Sequence, residues 1–200
     1  MKITRIAQQH KRTDRYAVFV DDVYSFSLSE AALLDSGITK NQEVTEAQVG
    51  EFKKRADEDR VYAGVLRYIA LRLRSAWGVS TYLDRKNISP ALKHEILNKL
   101  TINHLIDDEQ YAQAYIHDRQ LTRPISRTKL IFELRKKHIA QEIIDRVVSD
   151  ESRDETDALK QLIASKRQQS RYQDDLKLMQ YLSRQGFHYS DIKTAMDSIE

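Results

Sequence analysis

The sequence contains no cysteine and, among its 200 residues, only five glycines and two prolines. Without thiols the chain cannot form disulfides, thiolate zinc sites or cysteine nucleophiles. Average usage would give about 24 glycines and prolines, and an all-β fold needs a turn about every ten residues. This scarcity of chain breakers favours helices joined by short loops.

Long apolar runs are also missing, since no stretch approaches the roughly 18 residues of a membrane span. The N-terminal segment MKITRIAQQHKR lacks the apolar core of a secretory signal, so we expect a cytoplasmic protein with no membrane contact. The glycines are scattered, and the six histidines show no metal-binding spacing. We therefore predict a protein that is not an enzyme and uses no cofactor or metal.

Positive charge is concentrated in the middle of the chain. The net charge is only +3, but residues 60–148 hold 16 basic and 9 acidic side chains. The flanking segments 1–59 and 149–200 each carry a net charge of −2. A basic central segment predicts a polyanionic partner.

The first 57 residues differ from the rest. Three short stretches rich in β-branched and aromatic residues, 2–8, 15–20 and 23–28, predict a small antiparallel sheet, with Asp21-Asp22 as a two-residue turn. Ser29 is expected to begin a short helix that closes near Gly37, and Thr45 to begin another.

An internal repeat of about 50 residues follows, with copies that start at Ser75, Ser126 and Asp174. All three are residue types that cap helices. Four and eight residues later each copy has an apolar residue on one helix face. These apolar residues are Val79, Leu83, Leu130, Leu134, Leu178 and Leu182.

The same alignment predicts where each capped helix ends. Twelve residues after the start stand Asn87, His138 and Gly186, at which a left-handed backbone can stop a helix. An apolar residue follows each stop and can pack back on the helix end. A basic residue also stands ten residues after the start of every copy, and these are Arg85, Lys136 and Arg184.

A second helix is predicted after each stop, and a further helix before each cap. These preceding helices are expected over about 58–73, 107–121 and 155–169. The sequence thus predicts a mainly α fold of tandem three-helix repeats in an elongated, curved array, preceded by a small β-sheet extension. The domain boundaries expected are 1–57 for the β-rich extension and 58–101, 102–150 and 151–200 for the repeats.

The most specific motifs are Leu105–Ala112 (LIDDEQYA) and Arg184–Phe187 (RQGF), with Tyr82–Lys86 (YLDRK) before them. Through these motifs, residues of about 60–200 resemble the RecX family, whose members regulate the recombinase RecA. The segment 1–57 resembles the N-terminal extension of longer members.

The resemblance implies tandem three-helix repeats and binding in the groove of the RecA–DNA filament, which restrains strand exchange and ATP hydrolysis. On that basis we expect a monomeric, non-catalytic RecA modulator in DNA recombination, DNA repair and the SOS response. Direct contact with single-stranded or double-stranded DNA is compatible with it. The alternative is a general helical DNA-binding or protein-interaction scaffold that is not specific to RecA.

The candidate binding residues form two groups, in the second repeat and elsewhere. The second repeat places six cations against one acid, Glu133, and in helical projection Lys129 and Lys136 point away from the apolar stripe. Two interpretations of these six cations stay open: they contact phosphates, or they lie on a helix face that only solvent contacts. The remaining candidate cations stand at helix ends, where a cation can also serve as a cap. The candidates are Arg123, Arg127, Lys129, Arg135, Lys136 and Lys137, and then Arg72, Arg74, Arg85, Lys86 and Arg184.

Two other features have simpler interpretations. The acidic run Asp107–Glu109 is expected to cap a helix rather than bind a metal. The aromatic residues at helical spacing are expected to lie in the core rather than stack on bases. They are Trp77, Tyr82, Tyr111, Tyr115 and Tyr181.

Overall fold

The computed structural model describes residues 1–122, 125–149 and 155–198. In this part of the chain three strands precede ten α-helices, which confirms the mainly α fold with a small N-terminal sheet. The chain forms two compact units, residues 1–72 with 83–99 and residues 73–82 with 100–200.

The N-terminal sheet is antiparallel, with the strand order β1-β2-β3. The strands are β1 (Ile3–Gln9), β2 (Arg12–Val20) and β3 (Val23–Ser29). Asp21 and Asp22 join the last two, and both are left-handed, with φ of 48° and 64°. This is the backbone of a two-residue hairpin turn, and the predicted turn is confirmed.

Two helices follow the sheet, α1 (Glu30–Ser36) and α2 (Glu46–Ala70). As predicted, Ser29 caps α1 and Gly37 ends it with φ of 64°. Thr45 begins α2 in a capping box with Gln48. The separate helix predicted over 58–73 was wrong, because no proline interrupts 46–70 and α2 runs unbroken past residue 57 to Ala70.

The sheet packs on α2 through an apolar cluster and one buried ion pair. Phe26 and Ala56 belong to the apolar cluster. Arg15, which is 2% exposed, lies 3.0 Å from an Asp59 carboxylate oxygen. Asp59 also accepts hydrogen bonds from the backbone and the hydroxyl of Ser29. The buried charges are paired with each other, so this cluster is interpreted as structural.

The remaining helices follow the order that the repeat predicts, with a short 3₁₀ turn (Ser170–Tyr172) before α9. Each repeat start caps its helix, because Ser75, Ser126 and Asp174 accept hydrogen bonds from the backbone N–H three residues later, at 3.1–3.2 Å. The helices are α3 (Ala76–Asp84), α4 (Pro90–Ile102), α5 (Asp108–Thr122), α6 (Arg127–Lys136), α7 (Gln141–Ser149), α8 (Glu155–Arg167), α9 (Asp175–Arg184) and α10 (Tyr189–Asp197).

The predicted helix stops are confirmed in all three copies. Asn87, His138 and Gly186 have φ of 55°, 55° and 93°. In each copy the next backbone N–H donates to the carbonyl of the leucine at offset eight, at 3.3–3.4 Å. The six apolar residues at offsets four and eight are at most 6% exposed. The same local sequence therefore produces the same cap, core and stop three times.

The structure confirms the cap at the acidic run and corrects the core assignment of one aromatic residue. Asp107 accepts hydrogen bonds from the backbone N–H groups of Glu109 and Gln110, so it caps α5 as expected. The core assignment was wrong for Trp77, which is 42% exposed, because its helix turns it toward the stop of the second repeat. Among the described residues no cluster of potential metal ligands occurs, and no helix there could cross a membrane.

Candidate functional site

The start of α6 forms a joint with the end of α9. The Ser126 N–H donates to the Gln185 carbonyl at 3.1 Å. Lys129 Nζ donates to the Arg184 carbonyl at 2.7 Å and to the Gln185 side chain at 3.0 Å. A Cβ on Gly186 would lie 2.3 Å from the Ser126 hydroxyl, so only glycine allows this approach. The joint holds the second and third repeats together.

A related joint connects α3 to the second repeat. The Ala76 N–H donates to a carboxylate oxygen of Asp108, at 2.7 Å, and burial raises the pKa of Asp108 despite this bond. Trp77 stacks on His138 with the ring centroids 4.7 Å apart and the planes 17° apart. In both joints, therefore, the helix stop of one repeat packs on the capped helix start of the repeat before it.

Two cations that the sequence offered as binding residues make contacts within the chain. Lys129 is half-buried between the repeats rather than projecting into solvent. Arg127 donates to the Val148 carbonyl at 2.6 Å, and its backbone N–H donates to Glu155 at 3.2 Å. The position of both residues is explained by contacts within the chain.

Three further cations follow at the end of α6. Arg135 and Lys136 are exposed and Lys137 is half-buried. Arg135 donates to the Gln141 side chain at 2.9 Å, while Lys136 Nζ lies 4.9 Å from the centroid of the Phe132 ring. We call Phe132, Arg135, Lys136 and Lys137 the α6 basic surface.

The only acidic residue between Arg123 and Lys137 is Glu133, and its charge is neutralised by neighbouring side chains. Glu133 accepts hydrogen bonds from the Tyr115 hydroxyl at 2.5 Å and from Arg119 Nε at 3.0 Å. Lys137 Nζ lies 4.9 Å from the centroid of the Tyr115 ring. Because Arg119 compensates Glu133, the α6 basic surface keeps its positive charge.

This arrangement predicts an unusual tyrosine titration. Burial, followed by the hydrogen bond to Glu133, raises the pKa of Tyr115 to about 12. Because the folded state holds this proton more tightly than the unfolded chain, the associated stability is complete below pH 10 and is lost as the pH rises toward 12. In a difference titration at alkaline pH, wild type minus Tyr115→Phe should show one phenol with a midpoint near 12. A midpoint near 10 would contradict the hydrogen-bonded arrangement.

The other candidate cations differ in exposure and contacts. Arg184 donates to the Gln180 carbonyl at 3.2 Å, as a helix-end cation does. Arg72, Arg85 and Lys86 are exposed and Arg74 is half-buried. Arg123 lies outside the described residues.

Sequence reasoning missed Phe132, an aromatic residue that is 56% exposed. The repeat alignment contained the signal, because offset six is Thr81 in the first copy, Phe132 in the second and Gln180 in the third. Offset six therefore lies outside the core that the three copies share, since Phe132 and Gln180 are both exposed.

These features define a helical-repeat protein with an N-terminal sheet and a cationic surface on its second repeat. The model of the regulatory protein RecX N-terminal domain matches residues 1–45. The model of the RecX second three-helix domain matches residues 107–148. The chain belongs to the RecX family of regulatory proteins.

Proteins of similar sequence carry the name of the same family. The chain is 27% identical to regulatory protein RecX of Bacillus subtilis, over 99% of this chain and 77% of that protein. It is 30% identical to the Halalkalibacterium halodurans protein of that name and 32% to the Listeria monocytogenes one, over 72% and 76% of this chain. The matches span just over half of those two relatives, 55% and 56%.

Two crystal structures resemble the fold. A structure of regulatory protein RecX superimposes with a TM-score of 0.77 and 25% identity, over 98% of both chains. RecX from Lactobacillus salivarius gives a TM-score of 0.59 at 24% identity, over 71% of this chain and 96% of that one. The second likeness supports the fold alone.

Proposed function

We propose that this chain is a non-catalytic modulator of RecA that binds in the groove of the RecA–DNA filament and restrains strand exchange and ATP hydrolysis. The observation that carries the proposal is the α6 basic surface, where exposed Arg135 and Lys136 stand beside an acid that Arg119 already neutralises. Membership in a family of regulatory proteins supports a protein partner, and RecA is the partner we propose.

The mechanism we propose is occupancy of the groove. Helical repeats that lie along the filament would exclude incoming duplex DNA and couple neighbouring RecA subunits. Cations of the α6 basic surface would contact DNA phosphates or acidic RecA loops, and such contacts weaken as salt rises. If stoichiometric wild-type protein leaves RecA strand exchange and DNA-dependent ATPase unchanged at low salt, the proposal fails.

Charge reversal on α6 tests the surface itself. The double variant Arg135→Glu/Lys136→Glu should need about tenfold more protein to inhibit strand exchange, because two cationic contacts become repulsive. Both side chains are exposed, whereas the buried residues of α6 are Leu130 and Leu134, so the protein should stay folded, as circular dichroism can measure.

The matched control is Lys53→Glu/Lys54→Glu, which makes the same charge change at two adjacent exposed residues of α2. It should inhibit like the wild type. Inhibition by the α6 double variant at wild-type levels in physiological salt would place the contact elsewhere.

A second candidate function is a general DNA-binding or protein-interaction scaffold. The α6 basic surface favours it as well, since cations attract any polyanion. A pulldown from bacterial extract discriminates the two, because RecA should be a dominant partner only of a RecA modulator.

We further propose a monomeric cytoplasmic protein that acts in recombination and repair. The predicted division into 1–57, 58–101, 102–150 and 151–200 is proposed as its repeat organisation, although α2 crosses the first boundary as a continuous helix. Sedimentation that gives a dimer would overturn the monomeric state.

A further inference from the structure

We infer that the open edge of strand β1 is a docking site for an extended acidic segment of a partner protein, which adds to the sheet as a further strand. The inference goes beyond the proposed action on RecA, because it concerns the N-terminal sheet and can be tested with a peptide alone. The observation that carries it is the unpaired outer backbone of Ile6 and Gln8 beside four exposed cations.

The chain itself already occupies one end of this edge. The Ile3 N–H donates to the Gln42 carbonyl at 2.9 Å, and the Ile3 carbonyl accepts from the Asn41 N–H at 2.8 Å. Opposite Lys2 the same segment places Glu43, in an antiparallel bridge. This edge therefore accepts an extended segment that carries an acidic side chain.

The remainder of the edge is open. Both backbone groups of Ile3 point away from β2, and along an antiparallel strand this direction alternates. The register with β2 skips one residue at a bulge after Ile3, so Arg5 and Ala7 face β2 while the N–H and carbonyl groups of Ile6 and Gln8 point outward. Among the residues that the structure describes, none bonds to these outward groups. Such a row of unpaired donors and acceptors is a template for strand addition.

The charges beside this edge select an acidic partner. Lys2, Arg5, Lys11 and Arg12 are all exposed, and the first acidic residue of the chain is Asp14. Cations along a strand attract acidic side chains on an added strand and repel basic ones. A second copy of this chain would bring its own cations to the same edge, so pairing between copies is disfavoured.

A peptide fits this edge better than a nucleic acid does. Phosphates would satisfy the cations, but phosphate oxygens only accept hydrogen bonds, whereas the outward carbonyls of Ile6 and Gln8 need donors. An extended peptide supplies N–H and carbonyl groups in alternation at the spacing of a strand. The edge and its charges together therefore call for an acidic extended segment.

The experiment measures binding of a fluorescein-labelled peptide of alternating glutamate and valine, about eight residues long, to the full chain by fluorescence anisotropy at low salt. Gln8→Pro should weaken binding about tenfold, because proline removes the outward N–H and places its ring against the added strand. That N–H makes no bond within the sheet, so proline is compatible with this edge position, and circular dichroism should show an intact fold.

The matched variant is Gln8→Ala, which keeps the backbone N–H and should bind like the wild type. Both variants lose the hydrogen bond from the Gln8 side chain to the Thr13 carbonyl, so the difference between them reports on the backbone. A second probe is the same peptide with N-methyl groups on the backbone nitrogens of one edge. It keeps every charge but lacks the donors, and it should not bind the wild type.

Charge neutralisation tests the choice of partner. Lys11→Gln/Arg12→Gln should lower the affinity about threefold and weaken its dependence on salt. The control Lys53→Gln/Lys54→Gln removes the same charge from exposed residues of α2 and should bind like the wild type.

Four results would overturn the inference. They are wild-type affinity of folded Gln8→Pro, equal binding of the N-methylated peptide, no binding of the peptide to the wild type at low salt, and displacement of the bound peptide by oligo(dT), which would assign the edge to nucleic acid. If Gln8→Pro does not fold, the N-methylated peptide decides the same question on the wild type. All these measurements are made without RecA, so the inference and the proposed function can fail separately.

Discussion

Gly186→Ala is expected to destabilise the third repeat by about 3 kcal/mol. Two separate costs contribute. A left-handed backbone with φ of 93° costs a residue with a Cβ about 1–2 kcal/mol. The new methyl group would also lie 2.3 Å from the Ser126 hydroxyl and 2.9 Å from the Lys129 Cβ, and overpacking of this kind costs about 1–3 kcal/mol.

The clash cannot be relieved cheaply. If the Ser126 hydroxyl rotates away, it gives up the cap hydrogen bond from the Lys129 N–H, which is worth about 1 kcal/mol. If the third repeat moves away instead, the hydrogen bonds from Lys129 Nζ to the end of α9 are lost. Hydrogen exchange should therefore report faster opening of α9 and α10, together with a lower free energy of unfolding.

Two other glycines serve as matched controls. Gly37 has φ of 64°, but a Cβ added there would meet nothing within 4 Å, so Gly37→Ala should cost only the backbone strain, about 1 kcal/mol. Gly50 is helical and open, so Gly50→Ala should stabilise the protein by about 0.5–1 kcal/mol. Equal effects of the alanine substitutions at Gly186 and Gly37 would contradict the close approach at the joint.

Leu134→Ala is expected to cost about 2–5 kcal/mol of unfolding free energy. Leu134 is 0% exposed and packs in the core of the second repeat with Ile116, Ile139 and Ile144. Truncation of its side chain leaves a cavity that its neighbours fill only in part. Denaturation by urea, followed by circular dichroism, measures the loss.

The control for this substitution is Leu121→Ala, because Leu121 is 73% exposed and a surface change of this kind stays within about 0.5 kcal/mol. Well below the unfolding midpoint, Leu134→Ala should still bind partners through Arg135 and Lys136. A full loss of binding in folded Leu134→Ala would contradict the separation of core and surface on α6.

The substitutions Leu134→Ala and Gly186→Ala test features of different origin. Leu134 stands at offset eight of the repeat, and the repeat alone predicts that it is buried. Gly186 stands at offset twelve, where the repeat predicts a left-handed helix stop but gives no reason for glycine. Asn87 and His138 occupy the same position with a Cβ, so the requirement for glycine comes from the neighbouring repeat.

The candidate site likewise combines features that the sequence predicts with features that only the tertiary structure explains. Six cations in one segment predicted a basic surface, and Arg135 and Lys136 are indeed exposed on it. Nothing in the segment distinguishes them from Lys129, whose ammonium group contacts a carbonyl 55 residues away. The repeat alignment could have revealed Phe132 but not its exposure, and it left Trp77 in the core because apolar character alone does not fix direction.

By itself the sequence determined the sheet and its turn, the capped helices, their left-handed stops and the buried leucines, because each depends on hydrogen bonds and periodicity within about a dozen residues. Only the tertiary structure decided which cations bond to other parts of the chain, why Gly186 carries no side chain and where Phe132 and Trp77 lie. Those outcomes depend on surfaces that meet across some fifty residues of chain, and no local pattern encodes which atoms meet there.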